Sequence, residues 1–149
     1  VDLVPLLARV IKLTAEPALG GEQIETKLPH SLPALVDADR VEKVIENLIL
    51  NAVEAMAGST GKLSVAAGVA EKGKVFFSVS DTGAGMSAVF IETQLFRPFA
   101  TTKKRGVGLG LYTCREVVRA HGGTIEVDSR QGAGTTFRVV LPSAAIEKV

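Results

Sequence analysis

Leu63, Val65, Ala67 and Val69 alternate with small or polar residues, a turn follows at Glu71-Lys72-Gly73, and Val75, Phe77 and Val79 alternate again. Period-two spacing puts every second side chain on one face of a strand, so the two runs predict a hairpin with one apolar face. Register matters here, because a one-residue slip would turn that face to solvent. Carrying the count forward brings Asp81 onto the face of Val75, Phe77 and Val79. A carboxylate delivered to an apolar face is costly unless it meets a donor. The strand end is therefore either a turn favoured by Asp-x-Gly-x-Gly for conformational reasons or a binding position.

The rest of the chain alternates helices and strands. Leu3, Leu6, Leu7, Val10 and Leu13 recur at helical spacing from about residue 3 to residue 15, with Asp2 available as N-cap and Pro17 near the stop. Gln23 to Leu28 predicts a short strand, and Pro29 and Pro33 punctuate the link after it. Asp37 or Asp39 caps a long helix to about Met56. On it Val41, Val44, Ile45, Leu48, Ala52 and Met56 share one side, while Arg40, Lys43, Asn47, Asn51 and Glu54 share the other. Leu50 is an apolar exception on the polar side. Val107 to His121 reads as the next helix, ended by Gly122-Gly123. Thr124 to Ser129 and Thr135 to Leu141 are two further strands joined around Gln131-Gly132.

A chain of 149 residues without repeats or low-complexity tracts predicts a single domain. Its 17 Lys+Arg against 16 Asp+Glu give a net charge of +1 and no general pull toward nucleic acid or an anionic membrane, so phosphate recognition has to be local. The lone Cys114 makes neither an internal disulfide nor a Cys-rich zinc site, which fits a reducing, cytoplasmic setting. No apolar run is long enough to cross a bilayer, so no direct membrane insertion is expected. The chain opens on Val1 and not on Met, and the expectation is a piece of a longer protein, with a membrane anchor, a sensor or the substrate left to the missing parts.

Three groups carry chemistry. Asn47 and Asn51 stand one helical turn apart, and two mid-helix carboxamides cost stability that Lys or Glu would not. Carboxamide oxygens also suit Mg²⁺, which takes few protein ligands beside water and phosphate oxygens. Asp81 is the second group: an adenine exocyclic amine would supply its donor, and Gly83 and Gly85 would let backbone pass close to a flat base. The third is Thr101-Thr102-Lys103-Lys104-Arg105 running into Gly106-Val107-Gly108-Leu109-Gly110-Leu111. Helix N-termini collect anions, and glycines let their amides approach phosphates. No Gly-Lys-Ser/Thr follows, so this is not a P-loop, and a basic stretch in place of a strand argues against a dinucleotide fingerprint. The segment from Met86 to Arg105 is long for a plain connection and is the length of a lid.

Taken together, these stretches resemble the ATP-binding catalytic domain of sensor histidine kinases, within the superfamily shared with gyrase, the heat-shock ninety chaperone and mismatch-repair ATPases. Asn47 to Asn51 is similar to the N box, Asp81 to Gly85 to the first glycine box, Phe96 to Phe99 to the F box, Gly106 to Gly110 to the second glycine box, and Gly132 to Phe137 to the last. Asp39-Arg40-Val41 and His121-Gly122-Gly123-Thr124-Ile125 agree with the flanks. The Thr-Thr-Lys lid most resembles the nitrogen-regulation and oxygen-sensing kinases. The resemblance implies an α/β fold of the Bergerat type: a two-layer sandwich of a mixed sheet and about three helices, with ATP under a mobile lid. It implies Asn51 as the Mg²⁺ ligand with Asn47 assisting, and Asp81 as acceptor from the adenine amine in a pocket shaped by Gly83, Gly85 and Thr136. Lys103 would meet the terminal phosphates, and the amides of Gly108 and Gly110 the phosphate chain. Phe99, Thr101, Thr102, Gly106, Leu109 and Leu111 complete the expected ATP-binding set. Phe96 and Phe99 would anchor the lid and not stack on a base.

Two departures bear on the reaction. ATPase branches of the superfamily place a water-activating Glu four residues before the metal-binding Asn, where this chain has Asn47, and a carboxamide does not take a proton from water. Phosphoryl transfer to a protein is thus favoured over hydrolysis, with Asn47 and Lys103 as the catalytic pair and ATP and Mg²⁺ as cofactors. Glu54-Ala55 also replaces the Lys/Arg-Tyr pair that follows the N box in many kinases. The expected partners are a phosphoacceptor histidine domain of the same parent protein, from which the N-terminal helix would continue, and a response regulator downstream. The alternatives are a stand-alone serine kinase of the anti-sigma-factor type and a degenerate nucleotide-binding signalling module. Neither His30 nor His121 has the surroundings of a phosphoacceptor; His121 instead suits the end of its helix. Cys114 reads as a packed side chain.

Overall fold

A computed structural model describes residues 1–56, 61–71, 73–93, 95–96 and 110–144. The strands are β1 (Ile24–Lys27), β2 (Leu63–Val69), β3 (Lys74–Asp81), β4 (Thr124–Arg130) and β5 (Gly134–Pro142), and the α-helices are α1 (Leu3–Val10), α2 (Ala38–Ala55), α3 (Ala88–Thr93) and α4 (Gly110–Ala120). One five-stranded sheet runs in the order β1-β2-β3-β5-β4. Only the β1–β2 pair is parallel, so the sheet is mixed.

The expected hairpin forms β2 and β3, with Val65 opposite Val79 and Leu63 opposite Asp81. Leu63, Val65, Val75, Phe77, Val79, Phe137, Val139 and Leu141 bury their side chains against the helices. From α2 they meet the predicted stripe of Val41, Val44, Ile45, Leu48 and Ala52, joined by Ile49. Truncating a side chain buried like Phe77 typically costs about 3–5 kcal/mol, so this seam is the main source of stability. The other sheet face is more polar. There Phe76 is shielded by Arg138, whose guanidinium lies 4.7 Å from the ring centroid, and by its cross-strand partner Gly68. This two-layer α/β arrangement matches the expected fold class.

Capping sets the helix starts. The Asp2 side chain accepts from the Val4 amide at 3.0 Å and also from the Leu32 amide at 2.9 Å, tying α1 to the loop before α2. Asp2 is itself extended, with φ -80° and ψ 122°. Asp37, not Asp39, caps α2 through a 3.1 Å bond from the Arg40 amide. Three other boundaries differ from the sequence reading. Regular α-helix ends at Val10 and gives way to a wider π turn over Ile11–Ala15, closed by Glu16 N–H to Ile11 O at 3.0 Å. That turn buries Ile11 and Ala15 and leaves Leu13 70% exposed, so Leu13 is not on the core face. Gln23 belongs to a 3₁₀ turn before β1. Finally, α3 lies inside the stretch read as an unbroken connection, started by the Ser87 hydroxyl, which accepts from Phe90 N–H at 3.1 Å.

Candidate functional site

Asp81 ends β3 on its buried face, where the period-two count placed it, and is only 9% exposed. Its Oδ1 accepts from the Gly83 amide at 2.8 Å. Burial raises its pKa above the ordinary carboxylate value, and the backbone amides of Gly83 and Thr135 pull it part of the way back. Among the described residues no cation offsets that burial. Here is a buried acceptor with capacity left for a ligand's donor.

The loop after Asp81 is wedged between α2 and the closing hairpin. Backbone comes so near at Gly83 that a Cβ would collide with the Ala55 carbonyl, and at Gly85 (φ 70°) it would collide with the Arg130 carbonyl. The Gly132 amide donates to Ala84 O at 2.7 Å, and the Met86 amide to Ser129 Oγ at 2.8 Å. Contacts within the protein thus require glycine at 83 and 85.

Thr136 requires a correction. In β5 it is Thr135 that pairs with Asp81, whereas Thr136 pairs with Ser80 and bonds its hydroxyl at 2.7 Å. Adjacent residues of a strand point to opposite faces, so Thr136 turns away from Asp81. The residue beside the carboxylate is Thr135, 7% exposed, with its Oγ1 2.7 Å from Ser129 Oγ. Thr135 and Ser129 were missed; pairing β5 with β3 from the position of Asp81 would have found the first.

Asn47 and Asn51 both lie half-buried on α2. Asn47 faces the start of α4: its Oδ1 stands 3.7 Å from where a Cβ would project at Gly110, and its side chain bonds the Cys114 thiol. Burial is the main reason that the Cys114 pKa rises, to about 11, with the bond from Asn47 opposing it. Cys114 is a packed thiol, as expected. Gly110 and Leu111 open α4, while Leu50 is 37% exposed on the polar side of α2. Among the described residues no three His, Cys, Asp or Glu side chains gather as a metal cage, so a cation here would share its shell with phosphate oxygens.

His121 ends α4 as anticipated and does something further. The Asp37 amide donates to its Nε2 at 3.0 Å, which puts the ring proton on Nδ1, 2.8 Å from Val117 O. Phe96 packs against the core under the Arg115 guanidinium, 5.1 Å from the ring centroid, consistent with an anchor. Phe99, Thr101, Thr102, Lys103, Gly106, Gly108 and Leu109 lie outside the described residues, as does the part of the expected lid from residue 97 on.

A mixed sheet layered with helices, carrying a buried carboxylate at one strand end and two carboxamides on the facing helix, defines an α/β sandwich with a candidate ligand site. The chain belongs to the family of histidine kinase-, DNA gyrase B- and HSP90-like ATPases, whose model matches residues 36–145. The sensor histidine kinase ZraS of Escherichia coli K12 is 40% identical over 144 residues, 95% of this chain and 30% of that protein. The C4-dicarboxylate transport sensor protein DctS of Rhodobacter capsulatus is 38% identical over 146 residues, 95% of this chain and 22% of that protein. The chain thus spans less than a third of these curated relatives. Among solved structures, the catalytic domain of the histidine kinase ThkA in a nucleotide-free form superposes with a TM-score of 0.81 at 31% identity, covering 96% of this chain and 93% of that one. Full-length ShkA in complex with AMPPNP gives a TM-score of 0.80 at 29% identity over 98% of this chain and 31% of that one.

Proposed function

We propose that this chain is the catalytic module of a sensor histidine kinase: it binds Mg-ATP and donates the γ-phosphate to a histidine on a separate phosphoacceptor domain of the same parent, which then serves a response regulator. The observation that carries the nucleotide reading is Asp81, a buried carboxylate held by backbone amides at a rim bounded by close-approaching backbone. An adenine amine supplies the missing donor, and GTP, with an oxygen at that position, meets the carboxylate with an acceptor. Asn51 binds the metal together with phosphate oxygens, and Asn47, beside Gly110 at the start of α4, flanks it. Mg²⁺ neutralises charge on the transferring phosphoryl group, and Lys103 and the glycine amides add to that.

Position 47 decides the reaction class. A carboxamide has no basicity to activate water, so catalysis rests on positioning and charge, and the acceptor is a protein nucleophile. The alignment of nearly the whole chain with proteins named as sensor histidine kinases supports the same reading. The test is labelled ATP incubated with this chain alone and then with its separately made acceptor domain. The chain alone should neither label itself nor release phosphate rapidly. The acceptor should gain acid-labile, base-stable label, and Lys103→Ala should reduce transfer more than binding. Rapid phosphate release by the chain alone would place it with the hydrolytic members.

A further inference from the structure

Ser129, on β4 and outside every motif discussed above, makes three contacts through one hydroxyl. It lies 2.8 Å from the Met86 amide, 3.1 Å from the Gly134 carbonyl and 2.7 Å from the Thr135 hydroxyl. A serine hydroxyl has one proton and two lone pairs. The amide can only donate and the carbonyl can only accept, so Ser129 takes the Met86 proton on one lone pair and gives its own proton to Gly134. The third contact then has a single solution: Thr135 donates to Ser129. With its proton committed, Thr135 offers only lone pairs to the space it shares with Asp81, its cross-strand partner on the same buried face.

We infer that Ser129 is a specificity-determining positioning residue: by claiming the Thr135 proton it makes the base pocket an all-acceptor wall, which selects a purine with an exocyclic amine over one with a carbonyl. A free threonine hydroxyl would rotate to donate to a carbonyl oxygen and blunt that choice. Ser129 touches no nucleotide itself and acts through Thr135. Its bond to Met86 serves the same end by pinning the loop that follows Asp81. The inference rests on the assignment of Asp81 to the adenine amine.

The experiment is calorimetric titration with Mg-ATP and Mg-ITP, whose bases differ in having an amine or a carbonyl at this position. Ser129→Ala should weaken ATP, strengthen ITP relative to it, and compress their affinity ratio roughly tenfold, while Ser129→Thr, which keeps the hydroxyl, should restore the ratio. Thr135→Val should compress the ratio too, and in that background Ser129→Ala should change it no further. A purely structural role would weaken both nucleotides alike, and an unchanged ratio in a folded Ser129→Ala variant overturns the inference. Should that variant fail to melt cooperatively, Thr135→Val decides alone: a compressed ratio supports the inference, an unchanged one overturns it. Asp81→Asn, run in parallel, separates the two levels. If it leaves ATP affinity intact, the site reading falls and this inference with it; if it weakens ATP while the Ser129→Ala ratio stays put, only the role of Ser129 falls.

Discussion

At the proposed base end of the site, Asp81, Thr135 and Ser129 stand on three adjacent strands, and two of them are joined by a 2.7 Å hydroxyl pair; at the proposed metal end, Asn47 and Asn51 stand on α2, and Asn47 leans on small residues of a second helix. The first arrangement is fixed by backbone. Strand register, the Gly83 amide and loop positions with no room for a side chain hold it, so a small shift of one strand would break several contacts together. The second is fixed by side-chain packing, which yields more readily when a neighbour changes. On the proposed function, one fold thus offers a rigid pocket for the part of the nucleotide that carries identity and an adaptable shelf for the part that reacts.

The largest expected effect comes from adding one methyl group at each end. Gly85→Ala forces a side chain into a left-handed conformation and against the Arg130 carbonyl, and should cost about 3 kcal/mol or more. Among the described residues Gly110→Ala meets ordinary contact with Asn47, at 3.7 Å, on a helix where Ala is preferred, and should be neutral or stabilising by up to about 1 kcal/mol. Chemical denaturation compares them directly, and equal losses would erase the distinction between the two ends.

Next is Asp81→Asn, which removes a charge-assisted acceptor and should weaken ATP by roughly ten- to a hundredfold, or about 1.5–3 kcal/mol. The nucleotide-free protein should respond in the opposite sense. Burial raises the pKa of Asp81 in the folded state above the ordinary aspartate value of 3.8, so the stability tied to its protonated form is lost as pH rises through the folded pKa. At neutral pH the ionised group weighs against folding, and the Asn variant, which keeps an oxygen for Gly83, should melt no lower than the original. Any advantage should fade as the pH falls toward 3.8. A variant that melts clearly lower at neutral pH would mean that the charge has a stabilising partner.

Asn51→Ala tests the shelf. It should leave the fold intact, since Ala is the better helix former, yet abolish the enhancement of nucleotide binding by Mg²⁺ in paired titrations. An enhancement equal to the original's removes Asn51 from the metal site. The smallest effect belongs to Cys114, whose pKa of about 11 and full burial should make alkylation by iodoacetamide negligible at neutral pH until denaturant is added. Rapid labelling in the native state would mean that the α2–α4 seam opens.

Legibility from the sequence divides along the same line. Period-two alternation placed Asp81 on its face without help from any other part of the chain, and the apolar stripe of α2 was equally plain. Thr136 was misplaced because glycine-box spacing does not say which of two adjacent threonines faces inward; that needs the β3–β5 register, a pairing between residues more than fifty positions apart. Ser129 was invisible for a related reason, since its partners come from a loop and a neighbouring strand. Leu13 was assigned to the core because the helical count assumes 3.6 residues per turn, and the π turn at Ile11–Ala15 breaks that count. The contact of Asn47 with Gly110 and Cys114 is tertiary throughout.

The imidazole of His121 has a mechanical consequence. It rivets the last turn of α4 to the first turn of α2. From that rivet α2 runs ten residues to Asn47 and α4 runs back eleven to Gly110, arms of about 15 Å and about 16 Å at 1.5 Å per residue. Their tips meet because the arms match. Such a pair works like tongs: about 1 Å of separation at the tips needs a rotation of only about 4° at the fulcrum, so small angular play beside His121 becomes atomic-scale spacing where the carboxamides stand.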